Sequence, residues 1–244
     1  MDILIVLEDS NGKIHRMGLE SIVGAQKMAE ELGLSIGALV MGANVDLLAE
    51  EASGLNVGEV LKVENELLST YSADGYAEAV KQVIEQENPT YVIFGHTYQV
   101  RDYAPKVSAK LMKPFIVDNV SVTTNGGNSV FTKLMFNGKL FSDVTPTGDG
   151  PYLISFQSAA FSSEKADVGS APVRDCTVNL DVSMIRTESE EPFQEEAGGI
   201  DLTSADIIVS VGRGIGKEGN IPLAKELAQV LGGELEIGRA SCRE

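Results

Sequence analysis

Thiol and imidazole side chains are nearly missing from this chain: its cysteines are Cys176 and Cys242, and its histidines are His15 and His96. Two cysteines cannot build a disulfide framework, and this set is too sparse for a four-ligand zinc site or a catalytic metal centre. Neither histidine has a nucleophile suggested beside it, so no Ser/His/Asp or Cys/His arrangement can be argued. Positive charge is also scarce, with 19 Lys and Arg against 36 Asp and Glu and a formal charge of −17. Such a field repels polyphosphate backbones and anionic lipid surfaces, which argues against nucleic acid and membranes as partners. No run approaches the roughly 20 apolar residues that cross a bilayer. The opening "MDILIVLEDS" has a five-residue apolar run between acids and no basic leader, so it is expected to be the first strand of a cytoplasmic protein.

What is present is a regular alternation. "ILIVLE", "SIGALVMG", "GEVLKVE" and "YVIFG" are strand-like. Between them lie "LESIVGAQKMAEEL", with Ile22, Ala25, Met28, Ala29 and Leu32 on one helical face, then "NVDLLAEEAS" behind an Asn cap, then "SADGYAEAVKQVIEQENP", closed by Asn88-Pro89. Strand-helix repetition demands parallel strands with helical crossovers, hence an α/β fold with a doubly wound sheet. "HTYQVRDYAPKVSAKLMKP" follows the fourth strand as a loop and then a helix from about Tyr103 to Leu111. Its place at a strand's carboxyl end is where open α/β sheets put ligand sites, and His96 and Arg101 are candidates for contact there. His15 is expected to be solvated in a turn, and Asp102 to form a local ion pair with Arg101.

Beyond Pro114 the grammar changes to "FIVDNVSVTT", "NSVFTKLMFNGKLFSDV" and "PYLISFQS", joined by Asn-Gly-Gly, Asn-Gly and Thr-Gly-Asp-Gly turns that predict hairpins and a mixed, mostly parallel sheet. "CTVNLDVSMIRTE" predicts an edge strand with Val178, Leu180, Val182 and Met184 inward. Tyr91, Phe94, Phe136 and Phe156 are assigned to the core. The acidic stretch "ESEEPFQEEAGG" predicts a linker. The domains are therefore 1–188, a linker at 189–199, and a second domain from 200, of which a strand, a turn and one helix are expected.

In that second domain, "DIIVSVGRGIGKEGNIPLAKEL" runs from an apolar strand through a glycine-rich turn into a helix that Pro222 delays to about Asn220. Gly214, Gly216 and Gly219 match G-x-G-x-x-G, but the spacing to strand and helix fits a dinucleotide fingerprint poorly, and the Lys-Ser/Thr ending of a P-loop is missing. Arg213, between Gly212 and Gly214, could lay its planar fork on a phosphate or a flavin ring. An ordinary strand-to-helix turn with an exposed arginine is the other reading.

The order of these pieces resembles the α-subunit family of electron transfer flavoproteins. The resemblance rests on "VSVGRGIGKEGNIPLAKELAQVLGGEL", on "FGHTYQVRDYAPKVSAKL", on "NGKLFSDV" and on "ILIVLEDSNGKI". It implies an adenine nucleotide alpha hydrolase-like first domain that packs on a β subunit, and a Rossmann-like second domain that carries FAD. It also implies electron carriage between dehydrogenases, such as acyl-CoA dehydrogenases, and downstream acceptors, without substrate turnover. Arg213, with Gly212 and Gly214, falls on the family's flavin-contacting arginine, where its charge would favour anionic reduced flavin. The alternative is an ATP- or AMP-binding domain of the universal stress type, although no phosphate-cradling glycine motif lies between Ala43 and Gly95.

The family's principal flavin fingerprint lies farther toward the C-terminus and is missing. "EIGRASCRE" looks like a translated sequencing adapter, so 236–244 is expected to be a non-native tail, with 200–235 a truncated FAD domain that holds flavin poorly by itself.

Overall fold

The computed structural model describes residues 1–187, 189 and 205–238, and the chain divides into two compact units, Met1–Ser189 and Glu190–Glu244. The expected linker (189–199, apart from Ser189) and most of the expected tail lie outside the described residues.

In the first unit the strands are β1 (Ile3–Val6), the small hairpin β2 (Asp9–Ser10) and β3 (Lys13–Ile14), β4 (Ile36–Gly42), β5 (Glu59–Glu64), β6 (Tyr91–Gly95), β7 (Phe115–Asn125), β8 (Asn128–Met135), β9 (Leu140–Val144), β10 (Tyr152–Phe156) and β11 (Val173–Asp175). The helices are α1 (Arg16–Leu32), α2 (Asp46–Ser53), α3 (Ala73–Glu87) and α4 (Tyr98–Leu111). Nine strands form one sheet in the order β11-β5-β4-β1-β6-β10-β7-β8-β9. Every neighbouring pair from β11 to β7 is parallel, and β7/β8 and β8/β9 are antiparallel.

The two-residue period of a strand sorts the apolar runs to opposite faces. Ile3 and Ile5 of β1 join Ile22, Ala25 and Met28 of α1 and Leu48 and Ala52 of α2 in one core. Leu4 and Val6 point the other way, into Val80, Val83 and Ile84 of α3 and Val100, Tyr103 and Val107 of α4. Side chains of this size each contribute about 1.5–3 kcal/mol when fully buried, so a continuous apolar strand is stable only with helices on both sides. The doubly wound mostly parallel sheet expected from the sequence is observed.

Five local expectations are corrected. Helix α4 begins at Tyr98, because Thr97 Oγ1 accepts from Val100 N at 3.1 Å and caps the turn, with Pro105 inside the helix. Helix α2 is preceded by Val45, not Asn44, with no side-chain cap. The Thr-Gly-Asp-Gly turn closes no hairpin: β10 re-enters the sheet between β6 and β7, parallel to both. The stretch from Cys176 is no strand, and the edge position belongs to β11. Its backbone is satisfied instead by side chains of α3, where Gln82 Nε2 donates to Asn179 O at 2.8 Å, Asn179 N to Gln82 Oε1 at 2.7 Å and Gln86 Nε2 to Thr177 O at 3.0 Å. Cys176 and Val178 are buried beneath that strap, whereas Val182 and Met184 are exposed. Phe136 is 70% exposed, since the β8–β9 turn holds it at φ 53°, away from the core that Tyr91, Phe94 and Phe156 do enter.

The second unit contains β12 (Ile208–Val211), α5 (Ile221–Leu231) and β13 (Glu234–Ile237), with β12 and β13 parallel. It is therefore a β-α-β unit and not the single β-α step expected. Gly232, left-handed at φ 68°, ends the helix and turns the chain back. Glu236 and Ile237, placed in the expected tail, pair with Ser210 and Val211. Val211, Ala224 and Ala228 are its buried apolar residues among those described.

Candidate functional site

Two carboxyl-terminal strand edges carry chemistry, one in each unit. In the first unit the chain leaves β1 for β4 and β5 on one side and later crosses to β6 on the other, so β1/β6 is the point where strand order reverses and a crevice opens. A cavity of about 560 Å³ lies there, lined by residues that include Glu8, His15, His96, Tyr98, Arg101 and Asp118. Gly95 makes the geometry possible: a Cβ on it would stand 2.8 Å from Met17 Cβ, so only glycine lets the start of α1 lie against the end of β6.

Hydrogen bonds fix the polar groups of this cavity. His15 caps α1, its Nδ1 accepting from Met17 N at 3.2 Å, while its backbone N–H donates to Glu8 O at 2.8 Å. Thr97 Oγ1 donates to Glu8 Oε2. Asp118 sits at φ 61° where the β7/β10 register shifts, and its N–H donates to Ser155 Oγ at 3.0 Å. Ser155 Oγ also lies 2.9 Å from His96 Nδ1, and His96 Nε2 is 3.9 Å from Asp118 Oδ1. Burial raises the Glu8 carboxyl above its usual range, against the lowering influence of Thr97 and His15. Burial likewise lowers His96, helped by Arg101 and Lys133 and opposed by Asp118, so a neutral imidazole is favoured.

Sequence reasoning picked out His96 and Arg101 by their place after a strand. It missed Glu8 and Asp118, and it read His15 as merely solvated. Asp102 pairs with Tyr71, whose hydroxyl donates to Asp102 Oδ2 at 2.9 Å, and not with Arg101, whose guanidinium lies 5.3 Å from the Tyr98 ring centroid.

In the second unit, Gly212, Arg213 and Gly214 follow β12 directly. Ile215 N donates to Gly212 O at 3.1 Å and Gly216 N to Arg213 O at 3.2 Å, and Asn220 Nδ2 ties the turn to its helix through Ile215 O at 2.9 Å. A Cβ added at Gly212 or Gly214 would meet nothing within 4 Å, and the Arg213 side chain is exposed. A bare, self-bonded turn presenting one guanidinium fits one wall of an anionic, planar cofactor such as FAD.

Comparison with known proteins agrees with this division. Residues 3–181 match the electron transfer flavoprotein domain, and residues 201–244 match the electron transfer flavoprotein FAD-binding domain. The chain is 36% identical to the electron transfer flavoprotein subunit alpha of Bacillus subtilis (strain 168) over 98% of its own length and 73% of that protein. It is 31% identical to the subunit alpha of Thermoanaerobacterium thermosaccharolyticum over the same shares of the two chains. At 27% identity, over 95% of this chain and 71% of the relative, it is similar to the acryloyl-CoA reductase electron transfer subunit beta of Anaerotignum propionicum. These likenesses support electron carriage over the stress-protein alternative. With both units matched in order and a bare cationic turn inside the second match, the chain belongs to the electron transfer flavoprotein family as an alpha-type subunit, with FAD as its redox group.

Proposed function

We propose that this chain works as one half of a heterodimer with a β-type subunit in the cytoplasm, accepting electrons from dehydrogenases such as acyl-CoA dehydrogenases and passing them to downstream acceptors, with no substrate turnover of its own. The Anaerotignum relative, named as an electron transfer subunit of acryloyl-CoA reductase, supports enzymes of CoA thioesters as exchange partners. Bound FAD would supply the reversible storage of electrons. Gly212, Arg213 and Gly214 would then hold the isoalloxazine edge: the glycines leave the approach open, and the guanidinium offers positive charge where reduction adds negative charge.

The carrying observation is the exposed Arg213 on a turn already closed by its own hydrogen bonds, so that little reorganisation is needed when charge arrives. In the full-length gene product co-purified with its β-type subunit, Arg213→Ala should lower the flavin midpoint potential by tens of millivolts, about 59 mV for each 1.4 kcal/mol of lost attraction in a one-electron step, or release the flavin. Arg213→Lys should recover part of the shift. Unchanged flavin content and potential in Arg213→Ala would remove the arginine from this role.

A further inference from the structure

Asn220 stands immediately before α5, where an asparagine side chain ordinarily accepts a hydrogen bond from an amide of the first helical turn. It caps nothing here: its backbone is already helical at φ −93° and ψ −10°, and no amide of α5 donates to its side chain. Pro222, the second residue of the helix, has no N–H to offer. The side chain points back along the sequence instead, and Nδ2 donates to Ile215 O at 2.9 Å. Because a backbone carbonyl only accepts, the amide nitrogen and not the amide oxygen must face it.

Two donors converge on Ile215 O. The second is the N–H of Lys217 at 2.9 Å, only two residues on, around Gly216 at φ 77° and ψ −48°. This is a γ-turn of the rare, strained hand. A Cβ at Gly216 would meet nothing within 4 Å, so it is the backbone conformation and not crowding that calls for glycine there. Strained backbone persists only where its surroundings over-determine it, and an exposed turn beside a two-stranded sheet has few surroundings. The Asn220 side chain supplies one of them. Its bond to Ile215 O lies next to that of Gly216 N, which donates to Arg213 O at 3.2 Å, while Asn220 N donates to Lys217 O at 2.9 Å. A short, unbroken series of hydrogen bonds therefore runs from the start of α5 to the backbone of Arg213.

We infer that Asn220 is a positioning residue for the flavin: by clasping the γ-turn at Gly216 through Ile215 O, it fixes the backbone on which Arg213 stands and so sets how fully the guanidinium charge reaches the isoalloxazine. This role rests on the flavin-facing reading of Arg213 and is exerted through that residue. Without the clasp the guanidinium samples more positions, and an attraction that falls with distance is averaged down.

The full-length gene product co-purified with its β-type subunit tests this by two readouts. In hydrogen exchange, the Gly216 and Lys217 amides of Asn220→Ala should exchange about tenfold faster, the effect of losing one neutral hydrogen bond. The amides of α5 should not change, whereas a residue serving only as a helix cap would loosen α5 first. The flavin midpoint potential of Asn220→Ala should fall in the same direction as that of Arg213→Ala and by less. In the Arg213→Ala background Asn220→Ala should add no further shift, because the two act as one unit. Where Asn220→Ala weakens flavin retention, the same comparison is made in flavin dissociation constants. Unaltered exchange at Gly216 and Lys217, a wild-type potential in Asn220→Ala while Arg213→Ala shifts it, or an equal shift in both backgrounds overturns the role of Asn220 and leaves that of Arg213 standing. An unchanged potential in Arg213→Ala overturns both, whatever the exchange shows.

Discussion

Both units start from the same device, a parallel strand, a turn at its carboxyl end and a helix, but they surround it differently. In the first, β1 is flanked by β4 and β6 and its two faces are covered by α1 and α2 on one side and α3 and α4 on the other, leaving Ile3, Leu4 and Ile5 fully buried. In the second, β12 has β13 on one side and α5 on one face, and Ile208, Leu223 and Val230 are exposed. A strand edge inside a finished sheet can afford a polar, partly strained cavity, because the layers beneath it hold the backbone. The edge of a two-stranded unit must close its turn on itself, as Gly212 to Gly216 do.

The comparison breaks if truncation costs the same in both units. Phe94→Ala, near the carboxyl end of β6 and fully buried, should cost about 3–5 kcal/mol in denaturant unfolding, whereas Val211→Ala at the end of β12 should cost about 1 kcal/mol or less. Hydrogen exchange should show the same order, with β1 and β6 amides opening only on global unfolding and β12 and α5 amides exchanging far sooner. The next largest effect concerns Asp74, 6% exposed, which joins α3 to α4 through Lys106 Nζ at 2.9 Å and to the strap through Arg186 N at 3.1 Å. Asp74→Asn should destabilise by about 2 kcal/mol, discounted for the exposure of both partners.

The Lys106 bond first, then Arg186, holds the Asp74 carboxyl below its ordinary 3.8. Its contribution is therefore complete above that value and lost as pH falls through the folded-state pKa, a dependence that urea titrations between pH 2 and 5 should show and Asp74→Asn should lack.

Two smaller effects sharpen the contrast within the first unit. Burial raises the Glu8 carboxyl from 4.5, so folding carries a penalty for its charged form. Glu8→Gln should raise the melting temperature by about 2 °C at pH 7, a gain that disappears as pH falls through the folded-state pKa of Glu8 toward 4.5. Phe136→Ser should change stability by less than about 0.5 kcal/mol, as at other exposed positions. A loss of several kcal/mol would return Phe136 to the core.

Strands and helices with an unbroken period were legible: β1, β4 and β6 as apolar runs, α1 by its stripe from Ile22 to Met28, and the end of α3 at Asn88, which does adopt a left-handed cap at φ 47°. Elements governed by distant partners were not. The strap after Cys176 has strand-like alternation, but its hydrogen bonds come from Gln82 and Gln86, about ninety residues away. The cavity was half legible, through His96 and Arg101 beside β6. Asp118 reaches it only because a register shift in β7 turns one residue to positive φ, and His15 because Gly95 admits α1, and no local spacing encodes either event.

The insertion of β10 between β6 and β7 also has a temporal side. Tyr152 pairs with Tyr91 across about sixty residues of intervening chain. At a synthesis rate of roughly 5–20 residues per second, the open flank of β6 waits on the order of three to twelve seconds for its neighbour to leave the ribosome. During that interval an apolar strand offers unpaired backbone to any other nascent chain, so the growing polypeptide, more than the finished one, should depend on chaperones.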